Sequence, residues 1–470
     1  MMTRLPLRLR IFLFFCLLAA GGAAVAAGTL AFGWSRGEEA LPAMPFITAL
    51  VAFAFLNTGL VLGIWLLFDE NIAKPIDRLS ADLRLRAHSG VDREMDVEGA
   101  RYLGDLARAA RALSRVTGSS LTDTAARVAR ETQRLQSEAD RLTAIFSQLP
   151  IATILLNPAR EIVLYDSQAA EILSRIAPAR LKARLADYFD LGDFSKAVEE
   201  LPGAPSAVPF RLQDETGEHV FDAKLKALGR DGFMVLIDVP EAPTQDVAPR
   251  PLVYDFDLLN SSETKDVEET RLSDLCFVAF DTETTGLSVE DDAIVQIGAV
   301  RVLGGRIVEG EVVDTYVAPG RPIPPASTKI HRVTDDDVKG APDIATAGRA
   351  LYHFARDAVL VAHNAPFDVG LLRKSQLEMG VDWSHPMLDT VLLSAVVFGT
   401  NEDHSLDALC ERLSIDLPND RRHTALGDAQ ATAEVLVRLL PLLEGKGLVT
   451  FGHLVSETRR HGRLLRDLNT

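Results

Sequence analysis

The sequence predicts an α/β domain in its carboxyl-terminal part, a mixed sheet flanked by helices, behind an α+β domain and two long apolar helices. Three observations carry this prediction. Two uncharged apolar runs fill most of the first seventy residues; strand-like and helix-like patterns alternate from Pro150 onward; and the apolar run Cys276 to Phe280 leads into paired acidic residues, a strand hairpin and further strand-to-helix junctions. At 470 residues the chain exceeds one ordinary domain. The expected units are 1–70, 71–120, 121–149, 150–240, 241–272, 273–443 and 444–470.

Hydrophobic residues make up 47% of the chain but aromatics only 6%, and the apolar excess lies near the amino end. Ile11 to Trp34 and Met44 to Phe68 each exceed the ~20 residues needed to span a hydrocarbon core. Arg4, Arg8 and Arg10 precede the first run, and Lys74, Arg78, Arg84 and Arg86 follow the second. The positive-inside bias therefore places both flanks in the cytoplasm, with the short segment around Glu38 and Glu39 outside. A cleaved signal peptide is the competing reading of the first run, since Ala24, Val25 and Ala26 imitate a cleavage site. Either way the chain after residue 70 is expected on the inner face of the membrane. The net charge of −17 argues against a surface that grips duplex DNA along its length, though a local grip on a strand end stays open. Cys16, Cys276 and Cys410 are too few and too scattered for a disulfide framework or a cysteine-based zinc site.

Below the second apolar run, Leu79 and Leu83, a break at Ser89 and Gly90, and the stripe Leu103, Leu106, Ala110 and Leu113 resemble a HAMP-like helical relay over 71–120. Leu121, Val128, Leu135, Leu142 and Leu149 then recur every seven residues, with Ala125, Thr132, Ala139 and Phe146 four places on. This is a coiled-coil seam, and a second copy of the chain satisfies it most simply, which predicts a parallel homodimer; an amphipathic helix lying on a neighbouring domain is the alternative. From Pro150 the order strand, turn, strand, helices and a three-strand return resembles a PAS-type sensor domain over 150–240. The Pro-rich stretch from Pro240 to Pro251 has linker composition.

In the last domain Asp281 and Glu283 are two apart at the end of an apolar strand, so both carboxylates point the same way. Such a pair repels itself unless a cation lies between, and a hard divalent metal with oxygen ligands is the simplest remedy. Gly304-Gly305 joins the strands Ala293 to Leu303 and Arg306 to Val317 as a hairpin. Asp368 falls in the first turn of a helix after the run Ala358 to Ala362, and Asp428 begins another helix, with His423 just before it. A histidine beside metals suits general-base work, because imidazole exchanges a proton with water near neutral pH.

Asp281-Thr-Glu-Thr-Thr-Gly, His363-Asn-Ala-Pro-Phe-Asp368, and His423 with Asp428, in that order over Leu275 to Leu443, resemble the DEDDh exonuclease superfamily. Within it the likeness is to the proofreading (epsilon) subunits of bacterial DNA polymerase III. The resemblance implies an RNase H-like fold, two Mg²⁺ or Mn²⁺ ions held by Asp281, Glu283, Asp368 and Asp428, and His423 as acceptor of the water's proton. It also implies 3′-to-5′ hydrolysis of single-stranded nucleic acid ends, DNA ahead of RNA, releasing nucleoside 5′-monophosphates. Leu287, His331 and Asn364 would seat the terminal nucleotide. Asp389 has a family counterpart too, with helix capping as its alternative role. Two features depart from the pattern. Ala326, His331 and Arg332 stand where the family often has an acidic residue, a histidine and a glycine, and the nuclease segment follows membrane and sensor segments, ending in a short tail with Arg459, Arg460, Arg463 and Arg466. Association with a replicative polymerase is therefore not expected. A membrane sensor whose nuclease fold only binds nucleic acid or a nucleotide is the reading from another class.

Overall fold

The computed structural model describes residues 7–35, 44–77, 80, 151–203, 206–228, 232–238, 252–260, 266–416, 418 and 421–469. The expected helical relay beyond Asp77, residue 80 apart, and the coiled coil over 121–149 lie outside the described residues. The chain divides into two units, Met1–Thr124 and Ala125–Thr470.

In the first unit, helices α1 (Leu7–Ser35) and α2 (Met44–Phe68) coincide with the two apolar runs, and α2 ends in a π-helical turn, Asp69–Ala73. Both are long and apolar enough to cross a membrane. They pack on each other through Phe12 and Trp65, whose rings lie 5.0 Å apart, and through Asn57, whose amide donates to the Ala19 carbonyl at 3.0 Å. An amide among apolar helices has few other partners, so this bond fixes their register.

The second unit holds two sheets. The first is antiparallel throughout, built from β1 (Ile151–Leu156), β2 (Ile162–Tyr165), β3 (Val208–Gln213), β4 (Val220–Ala227), β5 (Phe233–Asp238) and β6 (Val253–Tyr254) in the order β3-β4-β5-β1-β2-β6. Helices α3 (Ser167–Ser174) and α4 (Gly192–Glu200) follow β2 in sequence. Alternate residues of β1, Ala152, Ile154 and Leu156, are buried, as the period of two requires. Strand β6 follows the Pro240 to Pro251 stretch, inside the unit expected over 241–272, and it pairs with β2 through Leu164 and Tyr165.

The second sheet is mixed, in the order β11-β10-β7-β8-β9, from β7 (Cys276–Thr284), β8 (Ile294–Leu303), β9 (Arg306–Tyr316), β10 (Val359–Ala362) and β11 (Met387–Asp389). β7, β8 and β9 are antiparallel, whereas β10 runs parallel to both β7 and β11. Gly304 and Gly305, at φ 57° and 69°, make the tight β8–β9 turn that only glycine enters without strain. Helices α5 (Pro325–His331), α6 (Ile344–Ala355), α7 (Ala365–Lys374), α8 (Gln376–Met379), α9 (Thr390–Phe398), α10 (Leu406–Leu413), α11 (Ala425–Gly445) and α12 (Phe451–Thr458) complete the domain. The 21-residue α11 packs along β7, β8 and β9.

The two sheets share one apolar core, from Ile154 and Tyr165 to Val278, Phe280 and Phe354. At the seam lies a buried polar knot. Arg301, at a bulge in β8, stands 2.9 Å from Glu311 of β9 and donates to the carbonyls of Phe354 (2.7 Å) and Leu181 (3.1 Å). Glu311 in turn accepts from the Tyr165 hydroxyl at 2.9 Å and from the Leu181 N–H. Arg180 and Arg356 both pair with Asp187, at 2.6 and 3.0 Å, and the Tyr188 ring meets His353 edge to face at 4.9 Å. Bulges re-aim side chains, and this one accompanies the turn of Arg301 toward the neighbouring domain.

Candidate active site

Strand β7 runs three residues past the carboxylate pair's first member, because β8 pairs with it as far as Thr284 opposite Ile294. Asp281 and Glu283 are therefore strand residues on one face, not the start of a loop. Asp428 is brought to them by the start of α11. The Thr424 side chain caps that helix by accepting the Gly427 N–H at 3.1 Å, and the Gln296 side chain of β8 accepts the Ala425 N–H at 3.3 Å. Gly298, opposite Asp281 in the β7–β8 pairing, lets the helix approach, since a Cβ there would overlap the Ala425 carbonyl. One carboxylate oxygen each from Asp281, Glu283 and Asp428 then lies within 4.8 Å of the others.

Asp368 stands beside this group in the first turn of α7. Its Oδ1 accepts from the Thr282 N–H at 3.0 Å and the Thr282 hydroxyl at 2.5 Å, a residue between the two strand carboxylates. The helix entry is set by Asn364, left-handed at φ 64°, and by Asp389, whose carboxylate accepts from Ala365 N–H at 2.7 Å and Val391 N–H at 2.8 Å. Asp389 thus caps α7 and α9 together, the capping role that was the alternative for it.

Burial and like charge push these acids up. Asp281 is raised well above the carboxylate range by burial first, then by the charges of Asp368, Glu283 and Asp428. Glu283 is pushed up to about 8 by burial and then by Asp428 and Asp368. Asp368 rises to about 7 through burial, against the lowering hydrogen bonds from Thr282. Burial raises Asp428 too, and the Arg422 guanidinium opposes it. Crowded carboxylates that resist ionisation are a donor set a hard, oxygen-seeking divalent cation relieves, so these residues fit such an ion.

His423 lies exposed just before α11, at φ 58°, with its N–H 3.4 Å from Asp428 Oδ1. Leu287 is 91% exposed past the end of β7. His331 differs from expectation. It is buried; its Nδ1 accepts the Val333 N–H at 3.0 Å, and Nε2 meets the Thr284 carbonyl at 3.2 Å. Both ring nitrogens are engaged with backbone, so His331 ties α5 to the end of β7 and has no free nitrogen for a substrate. Sequence reasoning missed Arg422, Thr282 and Gln296. Arg422 donates to Asp428 and to Asp407 of α10, and Gln296 also donates to Asp314 at 2.8 Å. Only Gln296 left a signal, as a polar residue in a strand that is otherwise apolar apart from Arg301.

The exonuclease family RNase_T matches residues 278–436, which include all four carboxylates and His423. The DNA polymerase III subunit epsilon-like protein of Rhodobacter capsulatus is 32% identical, with 100% of each chain covered. This chain belongs to that epsilon-like family. Its exonuclease segment is also 37% identical to the PolC-type DNA polymerase III of Caldanaerobacter subterraneus, over 38% of this chain and 13% of that much longer one. A solved structure of Exonuclease X in complex with 5′ overhanging duplex DNA is 28% identical over 39% of this chain and 99% of its own, with a TM-score of 0.30. The mixed α/β sheet and the acidic cluster of this epsilon-like protein thus fall within an exonuclease segment.

Proposed function

We propose that the chain is a membrane-anchored 3′-to-5′ exonuclease that removes nucleoside 5′-monophosphates from single-stranded DNA ends. The observation that carries this reading is the convergence of Asp281, Glu283 and Asp428, with Asp368 and His423 alongside, inside the exonuclease-family segment. Asp281, Glu283, Asp368 and Asp428 would hold two divalent cations of the Mg²⁺ or Mn²⁺ class. Such ions, when bound, supply Lewis-acid activation of water and stabilise charge on the leaving 3′ oxygen. His423, exposed at the mouth of the site, takes the proton of the attacking water. Leu287 offers an apolar surface to the terminal base, and Asn364 orients the nucleotide from the α7 entry. The net charge of −17 favours a short grip on a strand end over binding along a duplex.

The reading of an anchored nuclease on the cytoplasmic side draws support from the length and apolarity of α1 and α2 and from the arginine and lysine residues flanking them in sequence. A PAS-like sensing role for residues 150–240 draws support from the antiparallel order β3-β4-β5-β1-β2. Dimerisation through the heptads of 121–149 rests on the sequence pattern.

The full chain in detergent, given Mg²⁺ and a 5′-labelled single-stranded oligonucleotide, should yield a ladder shortened from the 3′ end, and Asp281→Ala should not. An intact 3′ end after prolonged incubation with the wild type would sink the reading. Matched DNA and RNA oligonucleotides decide the substrate, through contacts to the 2′-OH.

A further inference from the structure

We infer that Arg422 is a counter-ion latch on the proposed metal site: it holds Asp428 while no cation is bound, leaves it when a divalent cation loads, and then serves a substrate phosphate. The inference rests on the metal-dependent reading above. Its basis is a conflict of partners. The Arg422 side chain is only 14% exposed and pairs with Asp428, itself 14% exposed, and with Asp407, which is 73% exposed. Asp428 is also one of the three residues whose carboxylate oxygens cluster within 4.8 Å. A guanidinium and a divalent cation drawing on one carboxylate within a few ångströms repel each other strongly in a partly buried site. Asp407 provides the pivot. Arg422 Nε reaches Asp407 Oδ1 at 2.9 Å, so the side chain can release Asp428 while staying tethered to α10.

The released guanidinium then has unused donors beside His423, at the mouth of a site that receives a phosphodiester. A planar fork of N–H groups suits a phosphate oxygen pair, which a lysine meets only as a point charge. Arg422 would thus have two partners in turn, an internal carboxylate before loading and the substrate backbone after it.

The test is Mn²⁺ binding by the metal-free full chain in detergent, read by the electron paramagnetic resonance of free Mn²⁺, alongside steady-state kinetics on a single-stranded DNA oligonucleotide. Arg422→Gln removes the competitor and should tighten Mn²⁺ binding by roughly 3- to 10-fold, the range expected for a partly buried ion pair. The same variant should raise KM several-fold. Arg422→Lys keeps the charge and should hold Mn²⁺ affinity near that of wild type, yet share the raised KM, which guards against misreading a folding defect. Unchanged or weaker Mn²⁺ binding in Arg422→Gln overturns the latch, and tighter binding with an unchanged KM overturns the phosphate contact. If the wild type binds no Mn²⁺ and cleaves nothing, the metal-site reading itself has failed.

Discussion

Replacing Glu311 by alanine strikes the polar knot that joins the two sheets. Glu311 and Arg301 are each about 1% exposed, and the carboxylate serves Arg301, the Tyr165 hydroxyl and the Leu181 N–H. Without it, Arg301 keeps the Phe354 and Leu181 carbonyls but loses its counter-charge, and two buried donors lose their acceptor. Removing one partner of a buried pair costs about 3–5 kcal/mol, because the remaining charge is left uncompensated in a low-dielectric interior. The assay is urea unfolding of the full chain in detergent with Trp34 and Trp65 changed to phenylalanine. Trp383, 1% exposed beside the α6–α8 region, then reports on the nuclease domain. The double change Arg301→Met with Glu311→Leu should cost less than Glu311→Ala alone, since it removes both charges. A loss under about 1 kcal/mol for Glu311→Ala would refute the reasoning, by showing that water reaches the knot.

Acid should weaken the same seam through His353. Burial, then Arg180, Arg356 and Arg301, push its imidazole down to about 3. Because the folded value lies below the unfolded ~6.5, this contribution is full above pH ~6.5 and is lost as pH falls toward 3, by at most about 1.4 kcal/mol per pH unit. His353→Phe should flatten the stability slope between pH 7 and 5 in parallel urea titrations; equal slopes would exclude this account. Gly298→Ala should push the start of α11 off β8, costing about 1–3 kcal/mol as an overpacked contact does, and should lower the cleavage rate by moving Asp428. Thermal melts and single-turnover cleavage test it together, and a fully active, equally stable variant would contradict the close approach.

The sequence by itself determined the elements whose signals are local. A period of two put Asp281 and Glu283 on one face, the Gly304-Gly305 pair closed the β8–β9 hairpin, uncharged runs marked α1 and α2, and apolar runs and spacing placed Asp368 and Asp428 near helix starts. Tertiary structure decided what depends on residues far apart. Strand β7 extends through Thr284 only because β8 pairs with it, and His331 turns from a substrate candidate into a tie because its neighbours take both nitrogens. Arg422 finds Asp407 across 15 residues, and Tyr165 finds Glu311 across 146. Arg301 and Glu311 look in sequence like charges on solvent-facing strand positions, since a hydrogen bond formed over such distances leaves no periodicity in the chain. Packing alone makes them buried partners, and it turns a nuclease domain that reads as a separate module into one that shares its core with the domain before it.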